Sequence, residues 1–396
     1  MSTRLDPRLI REIRKYGAFD IDACFNCGNC TAVCPLSSDD SAFPRMPIRW
    51  AHLGMKKKLL EGREPWLCYF CGECSKTCPR TAEPGNFMAA LRRYSIAQAD
   101  VTGLASVLYK NSFTNFVVTS GLAFLFAMFI YAEKLKLKPG DKLIEVFNIP
   151  YEVIHWLGIG VMSLAGISLG VGVLLILKRS GDLSGLAGRF MKEFLAGKMA
   201  WVRAAVMAGL YAGFTEAFGH KRFRTCDGEK VYSWWLKPWF LHACIMWGFT
   251  ALFSATGLNF LLKDPAVLVD MWWPPRIIGT IGGILLMYGT SVIIGNRLRK
   301  TEKAYTQTLF SDWWLLGALW TAGLTGFILE FLVYIPREAQ PAWTDLLFLI
   351  HVGISMELVL LVPFTKFAHV FYRTLALFLN AFKGELDRQL TKEAST

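Results

Sequence analysis

Eight of the ten cysteines in this 396-residue chain fall in two tight runs, CFNCGNCTAVCP and CYFCGECSKTCP. Each reads C-x2-C-x2-C-x3-C-P, and together they use Cys24, Cys27, Cys30, Cys34, Cys68, Cys71, Cys74 and Cys78. An iron–sulfur cubane needs four thiolates around it, and three closely spaced cysteines on one loop can wrap one of its faces. Zinc prefers four ligands as two separated C-x2-C pairs, a poor match to two complete runs of four. Gly28 and Gly72 let the backbone approach the inorganic sulfides, where N–H donors tune potential. Pro35 and Pro79 turn the chain away after the last ligand. The first 30 residues contain no unbroken apolar segment of the secretory type and no twin-arginine pair, so this part is expected to stay where it is made. Thiols there remain reduced, which favours metal ligation over disulfides.

The spacing resembles that of bacterial two-cluster ferredoxins. In that pattern the fourth cysteine of each run reaches the other cluster. The resemblance therefore implies one 4Fe-4S cluster on Cys24, Cys27, Cys30 and Cys78, and a second on Cys68, Cys71, Cys74 and Cys34. The 33 residues from Pro35 to Leu67 contain MPIRWAHLGMKKKLLEG, which reads as helix. A helical two-cluster module with EPWLCYFCGECSKTCPR resembles the small iron–sulfur subunit of heterodisulfide reductases. His52, in the spacer, reads as a surface or packing histidine. Cys226 and Cys244 stand alone and read as small buried or loop residues.

The elements that carry these motifs divide sharply. Residues 1–110 are polar, with 16 Lys+Arg against 11 Asp+Glu. Over the whole chain only 19% of residues are charged, against about 25% in a soluble domain. The chain is 53% hydrophobic, and its mean hydropathy is +0.34. These values exclude disorder, a fibrous repeat and an ordinary soluble enzyme. Six apolar stretches follow at about 113–132, 153–177, 238–262, 276–295, 313–335 and 344–371. Each is long enough for a membrane helix of about 20 residues. The last contains Pro363, where a kink is expected. The fold class is thus mostly α, with a helical two-cluster ferredoxin-like domain (1–110) before a six-helix membrane bundle (111–380) and a tail (381–396). Within the loop 178–237, FMKEFLAGKMAWVRAAVMAGLYAGFTEAF is interrupted by charges and reads as an interfacial helix.

Loops 133–154, 263–275 and 335–343 carry six Lys+Arg, and loops 178–237 and 296–312 carry 15. By the positive-inside rule, the 178–237 loop, the tail and the ferredoxin-like domain face the cytoplasm. The net charge of +12 is then a topological signature of a cytoplasmic-membrane protein, and no nucleic-acid partner is needed.

Four of the six histidines lie in apolar stretches: His155, His242, His351 and His369. Ionisable residues in a span are functional candidates. On one continuous helix the 18 residues from His351 to His369 make five turns and about 27 Å of rise, so both side chains would point the same way. Depth pairs His242 with His369 near the cytoplasm and His155 with His351 near the outer face. Each pair could hold one haem b between two imidazoles. His220, in the basic stretch HKRFR, reads as a surface residue.

FSDWWLLGALWTAGLTGF and FLIHVGISMELVLLVPFTKFAHVFY resemble the last two spans of the gamma subunit of respiratory nitrate reductase. They also resemble the cytochrome b subunit of heterodisulfide reductase. The resemblance implies that His351 and His369 bind different haems. PWFLHACIMWGF resembles the helix that supplies the cytoplasm-proximal partner, His242. A second histidine expected ten residues later is Leu252 here, which leaves His155 for the distal haem. The order of the modules resembles QmoC, the membrane subunit of the quinone-interacting oxidoreductase family of sulfate-reducing microbes. That resemblance implies menaquinol as donor and two soluble flavin and iron–sulfur subunits (QmoA-like and QmoB-like) as partners. It also implies electron flow toward adenylylsulfate reductase. Glu152, Glu330 and Glu357 are candidates for proton or quinone handling at or within the spans. The competing readings are a heterodisulfide or thiol–disulfide reductase subunit, which would want a CCG-type cysteine pair absent here, and a structural iron–sulfur anchor, which leaves the paired histidines unexplained.

The charge asymmetry yields a direct expectation for topology. Alkaline phosphatase fused after Thr396 should be inactive in cells; an active fusion would place the C-terminus outside.

Overall fold

The computed structural model describes residues 5–38, 41–138, 149–180, 185, 188, 200–226, 232–262 and 270–395. Among these the protein is helical, with an isolated bridge between Ser38 and Ser41 and no strand.

Each cysteine run folds into one short helix, Asn29–Ala32 or Glu73–Lys76. The residues before them, Gly28 and Gly72, have φ of 99° and 85°. Left-handed backbone at that turn is what glycine alone adopts without steric cost. The runs are held by α1 (Pro84–Ala99), which is buried on nearly every side. Phe87, Met88, Ala90, Leu91 and Tyr94 on it are fully buried. The polar Asn86, Arg93 and Ser95 are buried with them, and the leading proline of the helix needs no N–H partner.

Among the described residues, five helices are long and apolar enough to cross a membrane: α2 (Ser112–Lys134), α3 (Tyr151–Arg179), α5 (Pro238–Leu262), α6 (Pro274–Arg299) and α7 (Phe310–Leu332). Between α3 and α5, α4 (Ala200–Leu210) continues into a π-helical stretch, Tyr211–Phe218. Its buried stripe of Ala204, Ala208 and Ala212 faces the C-terminal helix, while Val206, Met207, Leu210 and Phe214 lie outward. Residues 200–218 thus bury small side chains and leave large apolar ones outward; residues 190–199 of that segment lie outside the described residues. Helices α5 and α6 approach closely through glycine. A Cβ on Gly248 would stand 2.6 Å from the Gly282 carbonyl oxygen, the small-residue packing common between membrane helices.

The sixth apolar stretch is not one helix. It forms α8 (Thr344–Leu360), a 3-10 turn at Val362–Phe364 and α9 (Ala368–Ser395). Pro363 has no N–H to continue the ladder, and its ring clashes with the carbonyl four residues earlier. His351 and His369 therefore sit on separate helices, and an in-phase relation along one continuous helix does not hold. The break also changes the tail: α9 runs on as helix far beyond residue 371.

The polar domain and the bundle share one core. Tyr16, Trp66, Phe87 and Tyr94 pack in the same cluster as Leu361, Phe364, Ala368 and Tyr372. Trp66 meets Tyr372 edge-on at 5.4 Å. At the centre of the junction lies Asp312, 4% exposed, at the start of α7. It accepts from Arg93 of α1 at 3.1 Å and from Lys366 in the α8–α9 break. Arg93 also donates to the Tyr16 carbonyl at 2.9 Å. Lys303 pairs with Glu83 at 2.8 Å on the same end of the bundle. The opposite end is closed by Asp345, paired with Lys134 at 2.5 Å and Arg337 at 2.8 Å. The 1–110 region, the 297–312 loop and α9 thus gather at one end.

Removing one partner of a buried ion group leaves unpaired charge, at about 3–5 kcal/mol. Asp312→Ala should therefore lower the denaturation temperature in detergent and expose the 1–110 region to protease. Wild-type melting and protease resistance would show that the junction does not depend on this group.

Candidate functional site

The eight clustered cysteines line two cavities. Cys24, Cys27, Cys30 and Cys78 face the first, together with Arg45, Ile48 and Pro79. Cys34, Cys68, Cys71 and Cys74 face the second, with Phe43, Tyr69 and Met88. The last cysteine of each run has crossed to the other run's cavity. Among the described residues, no three His, Cys, Asp or Glu side chains close on a point suited to a single metal ion. Each sulfur set instead surrounds a space, as a polynuclear cluster requires. Burial pushes the Cys34 thiol up to about 12, and burial with neighbouring Cys68 and Cys71 raises Cys74 well above its ordinary range. Such thiols ionise readily only beside strong positive charge, which metal ions provide. The donor set therefore fits two iron–sulfur clusters. Each cavity has one buried cysteine, Cys30 or Cys68, and the first also has the exposed Cys27.

His242 on α5 and His369 on α9 stand with ring centres 6.1 Å apart and planes at 60°. Two imidazoles on one metal, at metal–nitrogen distances like the roughly 2.0–2.1 Å of zinc sites, have ring centres about 6 Å apart. His369 uses Nδ1 to bond the Lys366 carbonyl oxygen. His242 Nδ1 lies 2.9 Å from Nε2 of His220. His220 is only 4% exposed, so it is not the surface residue that its basic neighbours suggest. In both rings Nδ1 is engaged and Nε2 is left, the arrangement of metal-bound histidine with an outer hydrogen-bond partner.

His351 on α8 contacts Thr325 Oγ1 through Nδ1 at 2.9 Å. It lies over Gly326, where a Cβ would stand 3.1 Å from its Cε1. His155 on α3 meets Tyr151 Oη through Nδ1 at 3.0 Å and stacks on Phe260 at 4.4 Å. Their surroundings pack together: Val153, Ile154 and Leu157 meet Phe348, Leu349 and Val352. The segments that carry the two histidines thus meet in one apolar cluster, and each ring is tied through Nδ1 to a separate partner. Leu252 lies elsewhere, against Phe249, Leu286 and Leu319.

Two arginines that sequence reading passed over join the second thiol cavity to the His242–His369 site. Arg92 of α1 donates to the carbonyls of Pro65, at 2.9 Å, and Cys68. Arg373, one turn after His369, donates to the same Cys68 carbonyl at 3.0 Å and lies 3.6 Å over the Tyr69 ring. Tyr69 in turn donates to Glu216 at 2.6 Å. Glu216 also accepts from Tyr211 at 2.7 Å and pairs with Arg222 at 3.2 Å. A run of arginines in sequence carries no sign of this, because the partners come from four separate segments.

The glutamates separate by environment. Glu152 is exposed in the first turn of α3. Glu330 pairs with Arg276 at 3.5 Å. Glu357 is 3% exposed on α8, hydrogen-bonded to Trp314, with Oε1 lacking a partner. His52 is half-buried, and burial lowers its ring below the ordinary histidine range. Cys244 is fully buried, and the Cys226 side chain lies outside the described residues.

Residues 20–82 match the 4Fe-4S dicluster domain family, Fer4_8. The chain is similar to a heterodisulfide reductase subunit-like protein of Archaeoglobus profundus, 32% identical over 111 residues, covering 26% of this chain and 59% of that protein. It is also similar to one subunit of the dihydromethanophenazine:CoB–CoM heterodisulfide reductase of Methanosarcina mazei, 26% identical over 157 residues, covering 36% and 59%. A third relative, the EtfAB:quinone oxidoreductase of Syntrophomonas wolfei, is 24% identical over 191 residues, covering 36% and 27%. The chain thus spans less than two thirds of the length of each of these relatives. No solved structure matches it. The protein carries an N-terminal 4Fe-4S dicluster domain ahead of membrane-spanning helices. The similarities support an electron-transfer component of an oxidoreductase complex.

Crossing of the fourth cysteines has a spectroscopic consequence. Cys78→Ser should perturb the electron paramagnetic resonance signal of the cluster on Cys24, Cys27 and Cys30. A change confined to the cluster on Cys68, Cys71 and Cys74 would refute the crossing.

Proposed function

We propose that this chain is the quinone-facing electron-transfer subunit of a membrane oxidoreductase. It takes electrons from menaquinol, or exchanges them with the quinone pool, and delivers them to soluble flavin and iron–sulfur partners on the cytoplasmic side. The resemblance to the QmoC family extends this reading to dissimilatory sulfate reduction, with adenylylsulfate reductase downstream. His242 with His369, and His155 with His351, are the pairs that would hold two b haems. Cys24, Cys27, Cys30 and Cys78 hold one cluster; Cys68, Cys71, Cys74 and Cys34 hold the other. Bound haems and clusters supply one-electron carriers at four positions.

The observation that carries this reading is the contact of Arg92 and Arg373 with the Cys68 carbonyl, one turn from His369. It links the wall of the second thiol cavity to the helix that carries His369. The chain's own residues then have distinct tasks. Arg92 and Arg373 fix the Cys68 loop and place positive charge between the two sites. Apolar residues of the shared core exclude water from the junction. The cavity with the exposed Cys27 is where a soluble partner receives electrons. Glu357, buried with a free oxygen, is the residue best placed within the bundle to take a proton.

A second reading is favoured by the heterodisulfide reductase relatives: the same electron path, serving a heterodisulfide or thiol–disulfide reductase complex. Both readings share the haems, which a structural anchor lacks. A visible spectrum of the purified chain before and after dithionite, with haem and iron quantified, should show two b haems and two clusters. Loss of cluster signal alone on reduction, with no haem bands, would sink both readings. Turnover with menaquinol analogues and either adenylylsulfate reductase or a heterodisulfide separates the two.

The distal pair can be tested by itself. His155→Ala should remove about half the haem while leaving both clusters and the His242–His369 haem, the expected result for one of two equal sites. An unchanged haem-to-protein ratio would leave a single haem.

A further inference from the structure

We propose that His220 is a positioning residue that sets the tautomer of His242 and tunes the electron density of the metal held by His242 and His369. This rests on reading those two histidines as a haem pair.

The hydrogen bonds form a chain with only one consistent direction. A carbonyl oxygen can only accept, so the 3.2 Å contact from His220 Nδ1 to the Phe218 carbonyl puts the His220 proton on Nδ1. In the neutral ring Nε2 is then bare and accepts. Its 2.9 Å partner, His242 Nδ1, must therefore carry a proton. That leaves His242 Nε2 with a free lone pair, the form that binds a metal. His369 reaches the same state by a shorter route, donating from Nδ1 to the Lys366 carbonyl. The two ligands thus differ in their outer partners. One donates to a backbone oxygen, the other to an imidazole nitrogen whose own proton is anchored to backbone. An axial histidine that donates a hydrogen bond is more basic and favours the oxidised metal.

The local backbone indicates that this placement is specific. His220 has φ of 52°, a left-handed conformation uncommon outside glycine. It follows the π-helical stretch Tyr211–Phe218, closed by Gly219 N donating to the Phe214 carbonyl at 2.9 Å. Both features are rare, and both recur at functional sites. The stretch is held by Glu216, whose carboxylate is bound by Tyr69, Tyr211 and Arg222. The Tyr69 link ties His220 to the loop of the second thiol cavity. A histidine serving only to fill space would need neither the π-helical turn nor the left-handed φ.

The test uses the full chain in detergent, with His220→Leu and His220→Gln. Leucine fills the space without accepting a hydrogen bond, whereas the glutamine amide oxygen can accept. In His220→Leu, redox titration should show the His242–His369 haem at higher potential, with about 10–100-fold weaker retention, the usual cost of losing an outer partner. The distal haem and both clusters should stay at wild-type potentials, which also reports folding. Glutamine should restore most of the shift. An unmoved haem in His220→Leu would overturn the proposal, as would equal effects in both variants, which indicate packing alone. In haem-free protein, nitrogen-15 chemical shifts should show His242 protonated at Nδ1. A proton on Nε2 would overturn the hydrogen-bond chain. This second measurement stands even if the wild-type chain binds no haem, so failure of the haem reading is distinguishable from failure of the tautomer assignment.

Discussion

A buried carboxylate holds this molecule together. Asp312 opens a membrane helix, yet its partners come from the ferredoxin-like domain and from the break before the last helix. Two cations and one anion in a dry site cannot separate without leaving charge unpaired. That constraint fixes three segments at once: α1, the start of α7 and the turn after Pro363. Links of the proposed electron path lie beside those segments. Arg92 is the neighbour of Arg93, and His369 follows Lys366 by less than one helical turn.

The break at Pro363 is central to this arrangement. A continuous helix would have carried residue 369 onward along one axis and kept Lys366 in line with it. The 3-10 turn instead ends α8, buries Val362, Pro363 and Phe364, and restarts the chain as α9. Helix α9 then packs Tyr372 on Trp66 and sends Arg373 to the Cys68 loop. Gly172 on α3 makes room for Tyr372, because a Cβ there would stand 2.0 Å from its hydroxyl. The ferredoxin-like domain is therefore not tethered beside the membrane bundle. It is docked on it through a common apolar core.

The histidines show how the same fold treats the two pairs differently. Near the docked domain, His242 is backed by another histidine and His369 by a carbonyl. In the other pair, His155 and His351 are backed by hydroxyl groups of Tyr151 and Thr325. Outer partners of different acceptor strength give sites of different basicity.

Much of this was determined by sequence alone. The cysteine runs announce a two-cluster module, and the crossed grouping that their resemblance to two-cluster ferredoxins implies is the grouping in which the thiols line the two cavities. Hydropathy located five spans to within a few residues, because lipid demands an apolar run of fixed length whatever the neighbours. Tertiary structure decided the rest. Pro363 was visible as a kink, but whether it bends or ends a helix depends on what Asp312 and Lys366 do nearby. His220 sits in HKRFR, a surface-like string, and enters the interior only through the π-helical stretch before it and its own left-handed φ. Arg92 and Arg373 are 281 positions apart in sequence and meet at one carbonyl oxygen. Local periodicity reports which face of an element is apolar; it holds no record of which distant carbonyl a guanidinium will find when two cores become one.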